Sequence, residues 1–179
     1  MEDAHWSYIE RMDPTGLREL MHKYGQDVWN LAFILTRSRD MADDVSQDVF
    51  LKAYTTIGSF RGSSSVRTWL LAITRNTSIN AMRTAFMRRV TLTAWVTDTR
   101  ASPSAEIEAL ARTLSDEIWA KVLALPFKLR EVLILQAKYE MSIREIADLL
   151  RLSEGTVKSR LARARGRMTD SREEEEADA

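Results

Sequence analysis

The chain of 179 residues carries 26 Lys and Arg against 26 Asp and Glu, and 45% of it is hydrophobic, which allows one large or two small packed domains and excludes a wholly disordered chain. It has no cysteine, so disulfides, thiolate zinc sites and cysteine nucleophiles are excluded; His5 and His22 have no second ligand at metal-binding spacing, so neither metal nor cofactor is expected. No apolar run is long enough to cross a bilayer, and "MEDAHWSYIERMD" has no apolar signal core, so a cytoplasmic protein is expected.

Glycine (6) and proline (3) are scarce and fall at boundaries, so nearly every segment reads as helix. Asp13 suits a helix cap with Pro14 at the first position. Leu17, Leu20, Met21, Tyr24, Val28, Leu31 and Leu35 then recur at spacings of three and four, an amphipathic stripe. Asp40 is expected to cap a second helix, "DMADDVSQDVFLKAY", with Asp43 and Asp44 near its positive end. "GSFRGSSS" reads as a loop. A third helix follows from about Val66, with Val66, Trp69, Leu70 and Ile73 toward a core. "VTDTRASPSAEIE" lacks a helical stripe, contains Pro103 and marks a linker.

Pro126 ends one helix and "FKLREVLILQAKY" forms the next. Ser142 with Glu145 makes a capping box, and Ile143, Ile146, Ala147, Leu149 and Leu150 face a core. "RLS" is a short turn. Ser153 can cap the last helix, in which Val157, Leu161 and Ala164 pack inward. Two short helices, a tight turn and a basic second helix match a helix-turn-helix. Thr156, Lys158, Ser159, Ala162 and Arg163 would then point outward near the helix start, with Arg160, Arg165 and Arg167 on the flanks and farther along. In such a helix the N-terminal residues read base edges and other basic groups meet phosphates. A solvated basic face is the competing meaning of the pattern. Residues 1–169 hold 25 basic and 20 acidic side chains, and residues 170–179 one basic and six acidic. A basic body therefore ends in an acidic tail.

The fold class expected is all-α: two small helical domains, residues 1–85 and 106–169, joined by a flexible linker over 86–105, with an acidic disordered tail over 170–179. The second domain is the helix-turn-helix.

"MSIREIADLLRLSEGTVKSRLARARGRM" resembles the C-terminal domain of an extracytoplasmic-function (ECF) sigma factor. In that family a G-T-V-K-S-R-L-x-R-A-R run reads the upstream (−35) promoter element. Gly155 to Leu161 and Arg163 to Arg165 match it; Ala162 departs, where many members carry a bulky residue. "DMADDVSQDVFLKAY" resembles the family's helix that docks on the clamp of the polymerase β′ subunit, matching at Asp44, Gln47, Asp48 and Lys52. With Leu51, these fall on one helix face. "FRGSSSVRTWLLAITRNTSINAMR" resembles the segment that melts and holds the downstream (−10) element, matching at Trp69, Leu70, Ile73, Arg75, Asn76, Asn80 and Arg83. Its loop with Arg61 can close around an unstacked base, Asn76 and Asn80 can bond base edges, and Arg67, Arg75 and Arg83 can meet phosphates. Trp69 suits a core position better than a stacking platform.

The resemblance implies a sigma factor that binds core RNA polymerase, through the β′ clamp and the β subunit, and directs recognition and opening of promoter DNA. It implies an anti-sigma factor as a further partner, no catalysis and no small-molecule substrate. By resemblance the linker threads the polymerase; its Arg88 and Arg89 suit either a nucleic-acid contact or a solvated linker surface. A stand-alone helix-turn-helix regulator acting without polymerase is the alternative; it has no need of the Asp44–Lys52 face.

Overall fold

Asp13 starts the first helix as its position before Pro14 requires: its carboxylate accepts the Gly16 N–H at 2.7 Å, and α1 runs Pro14–Thr36. The computed structural model describes residues 12–93 and 117–177, with side chains over 12–88 and 118–169. His5, the side chain of Arg89 and residues 94–116 lie outside that description. Of the α1 stripe, Leu20, Tyr24, Val28, Leu31 and Leu35 are buried, while Leu17 is half-buried and Met21 is exposed.

The next helix starts earlier than expected. Arg37 takes a left-handed conformation (φ 58°) and Ser38 an extended one, the geometry of a helix cap. Ser38 Oγ accepts the Met41 N–H at 3.3 Å, so Ser38 caps α2 (Arg39–Thr56) in place of Asp40. Asp40 instead sits in the first turn, where the helix dipole favours a negative charge. A short 3-10 turn, Ile57–Ser59, and a loop lead to α3 (Val66–Thr93). Ser65 caps α3 through the Thr68 N–H at 3.0 Å.

The first three helices enclose one core of Leu20, Val28, Leu31, Leu35, Val45, Val49, Leu70 and Leu71. On α3 the buried face is rotated from the expected one. Val66 and Leu70 are buried, but Trp69 and Ile73 are half-buried, and Leu71, Thr74, Thr77 and Ser78 take the inner positions. The Thr74 hydroxyl satisfies itself by donating to Leu70 O at 2.8 Å, which lets a polar residue occupy the interior. α3 also continues through Phe86–Thr93, residues the sequence assigned to a linker. Met87, Arg88, Arg89 and Leu92 are good helix formers, and extending an existing helix is easier than starting one.

In the second part, α4 (Glu117–Ala124) and α5 (Phe127–Ala137) meet at Pro126. Arg130, buried, donates to Leu123 O at 3.0 Å and Leu125 O at 2.7 Å, and so fills the carbonyls left open where α4 stops. α6 (Ile143–Leu150) buries Ile146, Ala147 and Leu150, with Ile143 and Leu149 half-buried. Its capping box is complete. The Ser142 hydroxyl and backbone N–H donate to the Glu145 carboxylate at 2.7 and 2.8 Å, and Ser142 Oγ accepts the Glu145 N–H at 3.2 Å. Arg151, left-handed at φ 55°, closes α6, and α7 runs Glu154–Ala177. Where an unfolded acidic tail was expected, the backbone stays helical to Ala177, since Glu, Arg and Ala propagate a helix well. At 1.5 Å per residue, Glu173 then lies about 15 Å along the axis from Arg163.

No strand occurs among the described residues, and none of the helices is long and apolar enough to cross a membrane. Two units divide the chain, Met1–Ala101 and Ser102–Ala179.

The capping box yields a prediction. Hydrogen bonds from the Ser142 hydroxyl and then its backbone N–H hold the Glu145 pKa below the usual carboxylate value. A carboxylate with a lowered pKa stabilises the fold while ionised, and that contribution is lost as pH falls through its folded value. Ser142→Ala should lower the opening free energy of α6 by about 0.5–2 kcal/mol at neutral pH, read by amide hydrogen exchange at Ile146 and Ala147. The gap between variant and wild type should narrow in acid, once Glu145 is protonated.

Candidate nucleic-acid and polymerase interfaces

The rotation of α7 decides what it presents. Val157, Leu161 and Ala164 are buried at 0%, 2% and 0% exposure, and Ala164 packs in a cluster with Leu125 and Leu129. Ser153 Oγ accepts the Thr156 N–H at 3.2 Å and so caps the helix. With that face inward, Lys158, Ser159, Ala162, Arg163, Arg165 and Arg167 are exposed. Arg163 Nη2 donates to Ser159 Oγ at 2.9 Å, which aligns a guanidinium and a hydroxyl one turn apart.

Two of the residues predicted from sequence to meet DNA are turned elsewhere. Thr156 is half-buried, with its hydroxyl 2.9 Å from that of Ser153. Arg160 is also half-buried: its Nη1 lies 3.4 Å from Oε1 of Glu131, a carboxylate only 2% exposed. Apolar periodicity marks where Val157 and Leu161 point, but not the buried acid on α5 that draws Arg160 inward. Arg165 is exposed yet tied at 2.6 Å to Gln136 Oε1 on the same helix α5. The contacts at Glu131 and Gln136 brace α7 against α5 from two points of one helix. Glu131 was missed in the sequence; its signal is an acid embedded in the apolar run "LREVLILQ", four residues before the buried Leu135.

In the N-terminal unit Asp44, Gln47, Asp48, Leu51 and Lys52 are all exposed along α2, Leu51 at 64%. They form one polar face broken by a single large apolar side chain. Lys52 Nζ donates to Thr77 Oγ1 of α3 at 2.9 Å. A groove of about 370 Å³ runs between the two helices, lined by Asp44, Asp48, Lys52, Asn80 and Arg88 among others. Asn80, predicted to meet DNA, thus shares a groove with residues predicted to meet the polymerase.

Of the other predicted downstream-element residues, Arg61, Asn76 and Arg83 are exposed and Arg75 is half-buried, its Nη1 3.4 Å from Asn76 Oδ1. Arg67 does not join them: its Nε donates to Asp27 Oδ2 of α1 at 2.7 Å, an ion pair across the bundle. Its partner lies 40 residues away in the chain, beyond the reach of local spacing. The loop that carries Arg61 is anchored at both ends, by buried Phe60 before it and the Ser65 cap after it. Phe60 packs on Trp69, ring centroids 5.4 Å apart. Within the loop Gly62 adopts φ 67°, the left-handed conformation that favours glycine.

Comparison with known proteins gives two matches in chain order. Sigma-70 region 2 matches residues 20–85, and sigma-70 region 4 matches residues 115–168. RNA polymerase sigma factor YlaC of Bacillus subtilis is 36% identical over 171 residues, covering 89% of this chain and 95% of its own. ECF RNA polymerase sigma factor SigM of Mycobacterium tuberculosis is 32% identical over 164 residues, covering 87% and 76%. Among solved structures, CnrH in complex with the cytosolic domain of CnrY superposes with a TM-score of 0.66 at 26% identity, over 96% of this chain and 94% of that one. The sigma factor RpoE of Bartonella quintana, solved with the anti-sigma factor NepR, shares the fold at a TM-score of 0.67 and 24% identity, over 86% and 94%.

The two kinds of basic residue on α7 separate in a melt. Arg160→Ala strips a partner from a buried carboxylate and should cost about 3 kcal/mol. Lys158→Ala removes an exposed side chain and should stay within about 0.5 kcal/mol of wild type. Denaturant unfolding monitored by circular dichroism checks both.

Proposed function

We propose a residue-level mechanism from the premise that this chain belongs to the extracytoplasmic-function family of RNA polymerase sigma factors, which sets its activity: it binds core RNA polymerase and directs promoter recognition and opening. Its role is binding without catalysis, in the cytoplasm, and an anti-sigma factor is the further partner we propose from family membership. The domains are assigned as an N-terminal polymerase- and downstream-element-binding unit and a C-terminal upstream-element-binding unit.

The observation that carries the mechanism is the outward face left on α7 by the burial of Val157, Leu161 and Ala164. Lys158, Ser159 and Arg163 stand at its exposed start and read bases of the upstream element in the major groove. Arg165 and Arg167, farther along, meet phosphates and set affinity rather than sequence. Arg160 serves by holding the helix to α5, and Thr156 by closing the cap.

In the N-terminal unit the exposed face Asp44, Gln47, Asp48, Leu51 and Lys52 docks on the β′ clamp. Its acids suit a basic protein surface and Leu51 supplies the apolar contact. Asn76 and Asn80 bond the edges of bases in the downstream element, Arg61 closes over an unstacked base from its loop, and Arg75 and Arg83 meet phosphates. Opening needs no hydrolysis: preferential binding of unstacked bases offsets an unstacking cost of a few kcal/mol. Arg67, paired with Asp27, shapes the bundle instead.

Run-off transcription with core polymerase and a pool of promoters tests this directly. The wild-type chain should select promoters with two separated elements. Lys158→Ala should change the preferred upstream bases and cost about 1–3 kcal/mol there, leaving the downstream preference intact. Asp48→Lys should reduce transcription from every promoter in step with weaker co-purification with core. Unchanged promoter choice with Lys158→Ala, or unchanged co-purification with Asp48→Lys, removes the corresponding assignment.

A further inference from the structure

The far end of α3 carries exposed side chains that the mechanism above leaves unused. The 28 residues of the helix include Arg67, Arg75, Arg83, Arg88 and Arg89 and not one acid, and no Asp or Glu occurs between Asp48 and Asp98. Near its far end Phe86 and Met87 are 64% and 58% exposed. Among the described residues they are the only large exposed apolar side chains adjacent in sequence. The match to sigma-70 region 2 stops at residue 85, whereas the helix continues without interruption to Thr93. The exposed pair therefore lies on a helical extension of the matched segment.

Helical geometry joins that extension to the downstream-element face. At about 100° per residue, Asn76, Asn80, Arg83 and Met87 fall within a sector of about 60°. Phe86 follows Arg83 by three residues, so the ring and the guanidinium are surface neighbours. An aromatic face beside an arginine, on a helix free of acids, suits a nucleic acid: any base stacks on the ring and the phosphate next to it meets the cation. The same basic helix with a protein partner would need an acidic surface opposite it.

We infer that Phe86 is a stacking platform for one unstacked base of the promoter strand held by Asn76 and Asn80, with Arg83 on the flanking phosphate. This rests on the assignment of Asn76, Asn80 and Arg83 to the downstream element. Phe86 adds one nucleotide to the strand that the matched segment holds, through a contact that tolerates any base.

The test uses holoenzyme reconstituted from the full chain and core polymerase, on a fork-junction DNA that exposes the selected downstream element as a single strand. 2-Aminopurine is placed at each position in turn. With the wild type, one position beside the Asn76–Asn80 contacts should be quenched. Phe86→Ala should relieve that quenching and weaken fork binding about 5- to 100-fold, whatever base stands there, and Phe86→Trp should restore both. Asn76→Ala with Asn80→Ala tests the underlying assignment separately. If that pair abolishes strand binding while Phe86→Ala leaves quenching and affinity at wild-type values, the platform is wrong and the downstream-element face stands. If neither matters, both fall. If Phe86→Ala weakens association with core and leaves fork binding per holoenzyme unchanged, Phe86 is a protein contact and the inference is overturned.

Discussion

The burial of Val157, Leu161 and Ala164 is the constraint on which the C-terminal unit depends. These side chains fix the rotation of α7 about its own axis, and a helix rotated by one residue, about 100°, would present a different set of side chains. The contacts of Arg160 with Glu131 and Arg165 with Gln136 act in the same sense, since each ties α7 to α5. Under the proposed mechanism Arg160 holds the helix in place, Lys158, Arg163 and Arg167 are offered to a duplex, and Arg165 serves both ends. Charge counting alone merges the two groups. A buried ion pair contributes little net stability but penalises every arrangement that separates its members, which suits the recognition role proposed for α7.

In the N-terminal unit one helix serves several surfaces. α3 supplies core residues on one side, the Lys52–Thr77 link to α2 on another and the exposed asparagines on a third. The small hydroxyl residues Thr74, Thr77 and Ser78 face inward, where bulkier side chains would hold the helices farther apart. Asp44, Asp48 and Asn80 consequently line one groove. Under the proposed mechanism, polymerase docking and strand capture occur on neighbouring walls of it. That closeness would let strand capture depend on polymerase docking.

Much of this was legible in the residues. The Asp13–Pro14 start, the Ser142–Glu145 box, the Ser153 cap and the inward set on α7 follow from local rules of spacing and capping, and the structure has each of them. The departures arise from partners distant in the sequence, from a conformation set by a neighbour, or from propagation of an existing helix. Arg67 is held by Asp27 and Arg160 by Glu131, each across tens of residues. Ser38 displaced Asp40 as a cap because the left-handed turn at Arg37 set the entry to α2. The continuation of α3 past Ala85 and of α7 to Ala177 reflects helix propagation prevailing over composition. The placement of Asn80 in one groove with the acidic face of α2 required the packing of two helices, which periodicity does not encode.

Under the proposed mechanism this chain opens promoter DNA by capturing unstacked bases while seated on polymerase. Permanganate reactivity of thymines in the downstream element measures it most directly, on a promoter taken from the selected pool. Reactivity should appear only when chain and core polymerase are both present, should need no nucleotide hydrolysis, and should disappear with Asn76→Ala combined with Asn80→Ala. Thymines that react with the chain alone, or that stay protected with chain and core together, would contradict the account.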